Sequence, residues 1–249
     1  VKNTAMTDQV PDMSPSSKAR AAAVYSLLTL LLGVLAQVFI SERLVVWGDA
    51  EATAANILAH RLMFQSGFAI YLAEMACQVA ATLLFYELLK PVNKSMSLLA
   101  ATLGLVGIAI KALSRLFFIA PLFVLGGAHY LSVFTAPQLD ALALILLKVN
   151  DQGAGMGLAF FGFAGVLKGI LLYRSTFLPR ILGLLAGLTG LFLLTYLYPP
   201  LGNQFFGLTA MVGLVASVSL IGWLLLFGVD EERWRVQARA MLTRVEYSL

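Results

Sequence analysis

The sequence predicts an all-α integral membrane protein with six transmembrane helices and two short outer interfacial helices. Three observations carry this reading. Hydrophobic residues make up 60% of the chain and charged residues 12%, with a mean hydropathy of +0.87. A soluble domain carries about 25% charged residues, twice that share. The apolar residues gather into six runs near the length needed to cross a bilayer. The 17 Lys and Arg residues then fall unevenly on the two sides of those runs.

Taken in order, residues 1–20 are polar, contain Pro11 and Pro15, and carry Lys2, Lys18 and Arg20. They read as a disordered cytoplasmic tail. Residues 21–40 form the first span, whose basic flank and apolar run imitate a signal peptide but read as a retained anchor. Residues 41–56 hold Glu42, Arg43, Trp47, Asp49 and Glu51. Asp49 is placed to cap a short helix over 50–65 at the outer interface, with Trp47 at headgroup level. The second span covers 67–89 and the third 95–125, with Pro121 kinking or ending the third. Residues 126–136 form a loop with Gly126, Gly127 and His129. The apolar run over 137–149, bracketed by Asp140 and Lys148, is too short to span and reads as the second outer interfacial or re-entrant helix. The fourth span, 152–173, is rich in glycine, which lets helix backbones approach closely. The fifth covers 180–198 and stops at Pro199-Pro200; the sixth covers 203–229. Residues 230–249 form an amphipathic basic tail, with Arg233, Arg235, Arg239 and Arg244 beside Trp234, Val236 and Leu242. That tail is expected on the cytoplasmic leaflet.

With both termini in the cytoplasm, eleven basic residues lie inside and three, Arg43, Arg61 and Lys148, lie outside. Lys111, Arg115 and Lys168 lie within spans. An even number of spans follows, and the bacterial inner membrane is the expected location. The formal charge of +4 thus reflects topology and contact with anionic membrane lipids, not nucleic-acid binding. A weak internal repeat, an outer helix followed by span, basic turn and span, relates 50–125 to 137–198.

The candidate site lies in the hairpin of the second and third spans. Glu74, Gln78, Lys111 and Arg115 sit where an isolated charge costs roughly 2.5–3.5 kcal/mol on insertion scales. Glu74 precedes Lys90 by sixteen residues and Lys111 follows Ser95 by sixteen, so equal rise per residue brings the two to one depth. Gln78 and Arg115 each lie one turn along the same faces. A buried ion pair fixing helix register explains the pair alone. The other reading is a polar cavity in the outer half of the bilayer, joined by Gln37 and by Asn150-Asp151-Gln152. Its candidate ligand-binding residues are Glu74, Gln78, Lys111, Arg115 and Asp151. Lys168, five residues from the inner end of its span, is expected to snorkel to the headgroups.

Two stretches carry a resemblance. One is Tyr86-Glu87-Leu88-Leu89-Lys90-Pro91-Val92-Asn93-Lys94 with Ser97-Leu98-Leu99-Ala100 behind it. The other is Tyr173-Arg174-Ser175-Thr176-Phe177-Leu178-Pro179-Arg180-Ile181-Leu182-Gly183. Together they resemble the signature turns of a bacterial multi-pass membrane family known as domain of unknown function 4386, over about residues 20–228. The resemblance implies a six-span bacterial membrane protein and brings no substrate, cofactor or catalytic residue.

Chemistry-bearing motifs are few. There is no Walker A loop and no Gly-x-Ser-x-Gly elbow, and Gly153-x-Gly155-x-Gly157 opens a span with no preceding strand. The two histidines, His60 and His129, are too few for a three-histidine zinc hydrolase and match no ligand spacing. Cys77, the single cysteine, lies in an apolar run and reads as a small hydrophobe. The sequence therefore leans away from an enzyme and names no metal or cofactor. Three readings stay open: a membrane protein binding a small amphipathic or lipid-like ligand, an oligomeric transporter or channel, and a structural subunit meeting a membrane partner through its glycine-rich faces.

Overall fold

The computed structural model describes residues 13–246, and side chains as far as residue 241. Of the tail expected to be disordered over 1–20, residues 1–12 lie outside the described residues and 15–20 are helical; the roles expected for Leu242 and Arg244 lie outside the described side chains. Among the described residues, six helices are long and apolar enough to cross a membrane: α1 (Pro15–Leu44), α3 (Arg61–Leu89), α4 (Lys94–Val124), α5 (Ala136–Arg174), α6 (Arg180–Leu197) and α8 (Phe206–Leu226). Shorter helices are α2 (Ala50–Ala59), α7 (Pro199–Gln204) and α9 (Glu231–Glu246).

Local sequence sets most boundaries. α1 begins at Pro15, six residues before the expected span, because the Ser14 side chain accepts from the Ser17 N–H at 3.2 Å and Pro15 lacks only an N–H that would be orphaned there. Asp49 caps α2 by accepting from the Ala52 N–H at 2.9 Å. Asn93 starts α4 in the same way, accepting from Met96 at 2.9 Å. Pro121 ends the regular part of α4, which runs Lys94–Ile119 before a last short turn, Pro121–Val124.

Neither short outer helix takes its expected form. The first is Ala50–Ala59, shorter than 50–65, because the backbone leaves helical geometry at His60 and residues 61–65 start α3. The second does not exist as a separate element: 137–149 is the beginning of α5, which runs unbroken for 39 residues. At about 1.5 Å per residue that is roughly 58 Å, nearly twice a hydrocarbon core. The polar trio at 150–152 stays helical because Asn150 finds a partner on α4, described below. Gly153 and Gly157 stay helical where α4 approaches. A Cβ on Gly153 would lie 2.6 Å from that of Ser114, and one on Gly157 would lie 3.0 Å from the Gly107 carbonyl oxygen.

The spanning helices close into a ring. α1 packs on α3, α3 on α4, α4 on α5, α5 on α6, α6 on α8, and α8 returns to α1. Glycines set the α5–α6 contact: a Cβ on Gly165 would lie 3.0 Å from Gly190 Cα, and one on Gly162 2.8 Å from the Leu194 nitrogen. The glycine faces expected to meet a partner therefore meet each other.

Two apolar cores plug the ends of the ring. At the end carrying the Pro91 and Pro179 turns, Ala22, Leu88, Leu171, Leu182 and Leu224 pack together. The Trp234 indole of α9 docks beneath them and donates to the Leu88 carbonyl at 2.9 Å. That carbonyl belongs to the last turn of α3 and has no partner within its own helix. At the opposite, loop end, Ile57, Phe64, Tyr71, Phe118 and Leu147 form the second core. Phe64 and Phe118 stack there with ring centroids 4.5 Å apart.

Candidate functional site

Two polar features lie between those cores. The first is the hairpin cluster. Lys111 Nζ donates to both carboxylate oxygens of Glu74, at 2.8 and 2.7 Å. Glu74 is 3% exposed, so the pair is largely removed from solvent. Gly33 of α1 and Gly157 of α5 face its two members, where a Cβ would lie 3.8 Å from Glu74 Cγ and 3.6 Å from Lys111 Cβ.

One turn toward the loop end, Arg115 is buried, and its guanidinium lies 3.6 Å from the centroid of the Tyr71 ring. Its Nη1 donates to Asn150 Oδ1 at 3.1 Å, while Nε is buried without an acceptor. The Tyr71 hydroxyl donates to Gln37 Oε1 at 2.9 Å and lies 2.9 Å from Ser41 Oγ. Gln37 and Ser41 bound a π-helical turn in α1, a widening that sets both side chains toward Tyr71. Asp151 is exposed and joins Arg115, Asn150, Gln37 and Tyr71 around a pocket of about 60 Å³. A pocket of that size has room for a few waters, each needing about 10–15 Å³ of such space, and not for a lipid.

The second feature is a cavity of about 370 Å³ inside the ring, in the half nearer the turns. All six spanning helices line it, contributing Thr29, Gln78, Gly104, Lys168, Leu193 and Ser217 among others. Small side chains leave the space open, notably Ala101 and Gly104 of α4 and Ala164 and Gly165 of α5. Its volume falls within the roughly 300–1,000 Å³ of small-molecule sites.

The expected site residues thus divide. Glu74 and Lys111 meet directly, and Arg115 and Asp151 share the small pocket. Gln78 belongs to the larger cavity, and its Oε1 is buried without a hydrogen-bond partner. Lys168 does not snorkel: its ammonium lies 3.3 Å from the centroid of the Phe85 ring, at the wall of the cavity. The sequence hid this because the depth of a lysine says nothing about which side of its helix faces the ring. Asn150 was visible as a polar residue, but its Arg115 partner lies 35 residues away on another helix. His60 and His129 are both exposed, on α2's C-terminal cap and in the loop before α5.

The family model described as Domain of unknown function (DUF4386) matches residues 21–228, most of the chain and all six spanning helices in whole or in large part. No curated protein matches the chain. No solved structure matches it either.

Proposed function

The chain belongs to the DUF4386 family, and from that premise, which assigns no substrate, we propose that it is a non-enzymatic multi-pass membrane protein binding a small or lipid-like ligand inside its ring of helices. The observation that carries the reading is the 370 Å³ cavity, lined by all six spanning helices with several polar groups among apolar ones. A packed interior leaves few spaces larger than a water, so a cavity of this size is wide enough to take a small ligand.

In this reading Gln78 reaches the ligand, and the Glu74–Lys111 pair above it fixes the register of α3 against α4. Arg115 and Asp151 hold the polar pocket at the loop end. The charge asymmetry supports placement in the bacterial inner membrane, with the two basic turns and both termini on the cytoplasmic side. Membrane lipids surround the ring, and the amphiphile enters from among them.

A transporter is the second reading, favoured by one observation. Gln78, Glu74, Lys111, Arg115 and Asp151 form a run of polar residues from the cavity toward the loop end. The structural-subunit reading loses its support, because the α5 and α6 glycines pack within the chain.

Native mass spectrometry of the protein released from mild detergent tests the proposal. One retained small molecule per chain is expected, and Ala164→Phe, which projects a ring into the cavity, should abolish it. An adduct-free protein whose melting temperature ignores added membrane lipid extract would remove the basis for ligand binding.

A further inference from the structure

The cavity holds a lysine for which no described residue supplies a counter-ion. Lys168 projects from α5 into the space and, among the described residues, makes no hydrogen bond or ion pair. The two carboxylates of α3 are committed elsewhere: Glu74 to Lys111, and Glu87 to Lys90 at 2.6 Å and Lys18 at 3.4 Å. The Phe85 ring meets one face of the ammonium, yet an ammonium carries three N–H donors and a ring accepts at one face only. An unpaired charge within a membrane span is expensive and by default marks a functional site.

Other polar groups on the wall sharpen the specificity. Thr29, Thr82 and Ser97 turn their hydroxyls onto backbone carbonyls at 2.9, 2.7 and 3.1 Å. They are spent on the helices. Lys168 and the Gln78 amide, with the hydroxyls of Ser26, Tyr86 and Ser217 also on the wall, remain to meet a polar ligand head. Most of the remaining wall is apolar, with Phe85, Phe161, Leu171 and Leu220 lining it. One cationic donor beside one apolar volume matches one kind of molecule.

We propose that the cavity takes a single-chain amphiphile ending in an oxyanion, a carboxylate or a phosphate, with its head on Lys168 and its hydrocarbon chain against Phe85, Phe161 and Leu220. This deepens the ligand-binding reading and rests on it. The oxyanion replaces the missing counter-ion through charge-assisted hydrogen bonds, which are roughly twice as strong as neutral ones. Removal of the head from water is offset only where such a partner waits, so an uncharged amphiphile of equal chain length gains the apolar contact alone.

The test uses the whole chain of 249 residues in a maltoside detergent, titrated calorimetrically with laurate, dodecyl phosphate and dodecanol. One laurate or dodecyl phosphate should bind per chain, at least about tenfold tighter than dodecanol. Laurate against dodecyl phosphate decides whether the head is a free fatty carboxylate or a phosphate monoester. Lys168→Met should erase the advantage of the anions while leaving dodecanol binding unchanged, and Lys168→Arg should keep most of it. Since no described residue pairs with Lys168 in a hydrogen bond or ion pair, Lys168→Met should melt at or above the parent temperature; Lys168→Gln gives the same comparison if Lys168→Met does not fold. Equal binding of laurate and dodecanol, with Ala164→Phe abolishing both, would overturn the oxyanion assignment and leave the cavity reading standing. Anion preference surviving in Lys168→Met would overturn the role of Lys168. No binding of any of the three would overturn both readings.

Discussion

Glu74 on α3 and Lys111 on α4 form a two-point ion pair, with the ammonium 2.8 and 2.7 Å from the two carboxylate oxygens. Their common depth follows from arithmetic, since each helix leaves the Pro91 turn with the same rise per residue. Removing one partner strands the other in a low-dielectric setting, so Glu74→Gln and Lys111→Met should each cost about 3–5 kcal/mol. The double variant should recover much of that loss, giving a large favourable coupling in a double-mutant cycle of unfolding in detergent. Additive losses would show that the pair does not act as a unit.

That pair was legible because it depends on two local features, a tight turn and two even helices. The ring was not. Which helix follows which around a bundle depends on side-chain contacts between distant segments, such as Arg115 with Asn150, and no periodicity encodes them. The unbroken α5 was missed for a related reason. Asn150-Asp151-Gln152 looks like a break when read alone, and becomes tolerable helix once Arg115 donates to the Asn150 side chain. The cavity and Lys168 failed together, because a void is a property of six helices at once.

The glycines separate into two kinds, and substitution should tell them apart. A Cβ on Gly162 would lie 2.8 Å from the Leu194 backbone nitrogen, and backbone cannot move aside cheaply. Gly162→Ala should lower stability by about 1–3 kcal/mol, the usual penalty for overpacking. Gly222 of α8 meets nothing within 4 Å, so Gly222→Ala should raise stability by about 0.5–1 kcal/mol through backbone entropy alone. Thermal melts of the two variants in one detergent check the contrast; equal shifts would mean α5 and α6 do not meet through their glycines.

Topology is read from charge, and a labelling experiment checks it. In a Cys77→Ala background, Asn93→Cys and Thr176→Cys should resist an impermeant thiol reagent added to intact cells, whereas Asp49→Cys should react. Asn93 and Thr176 sit in the two basic turns, and Asp49 caps α2 at the other end of the ring. Labelling of Asn93→Cys from outside would reverse the orientation.

The most direct measurement of the central claim is an experimental density map of the protein purified in mild detergent. The account predicts elongated density inside the ring, running from the neighbourhood of Lys168 and Gln78 along Phe85 and Phe161, and absent from Ala164→Phe. A cavity closed by repacked side chains, or one filled only by ordered water, would contradict it.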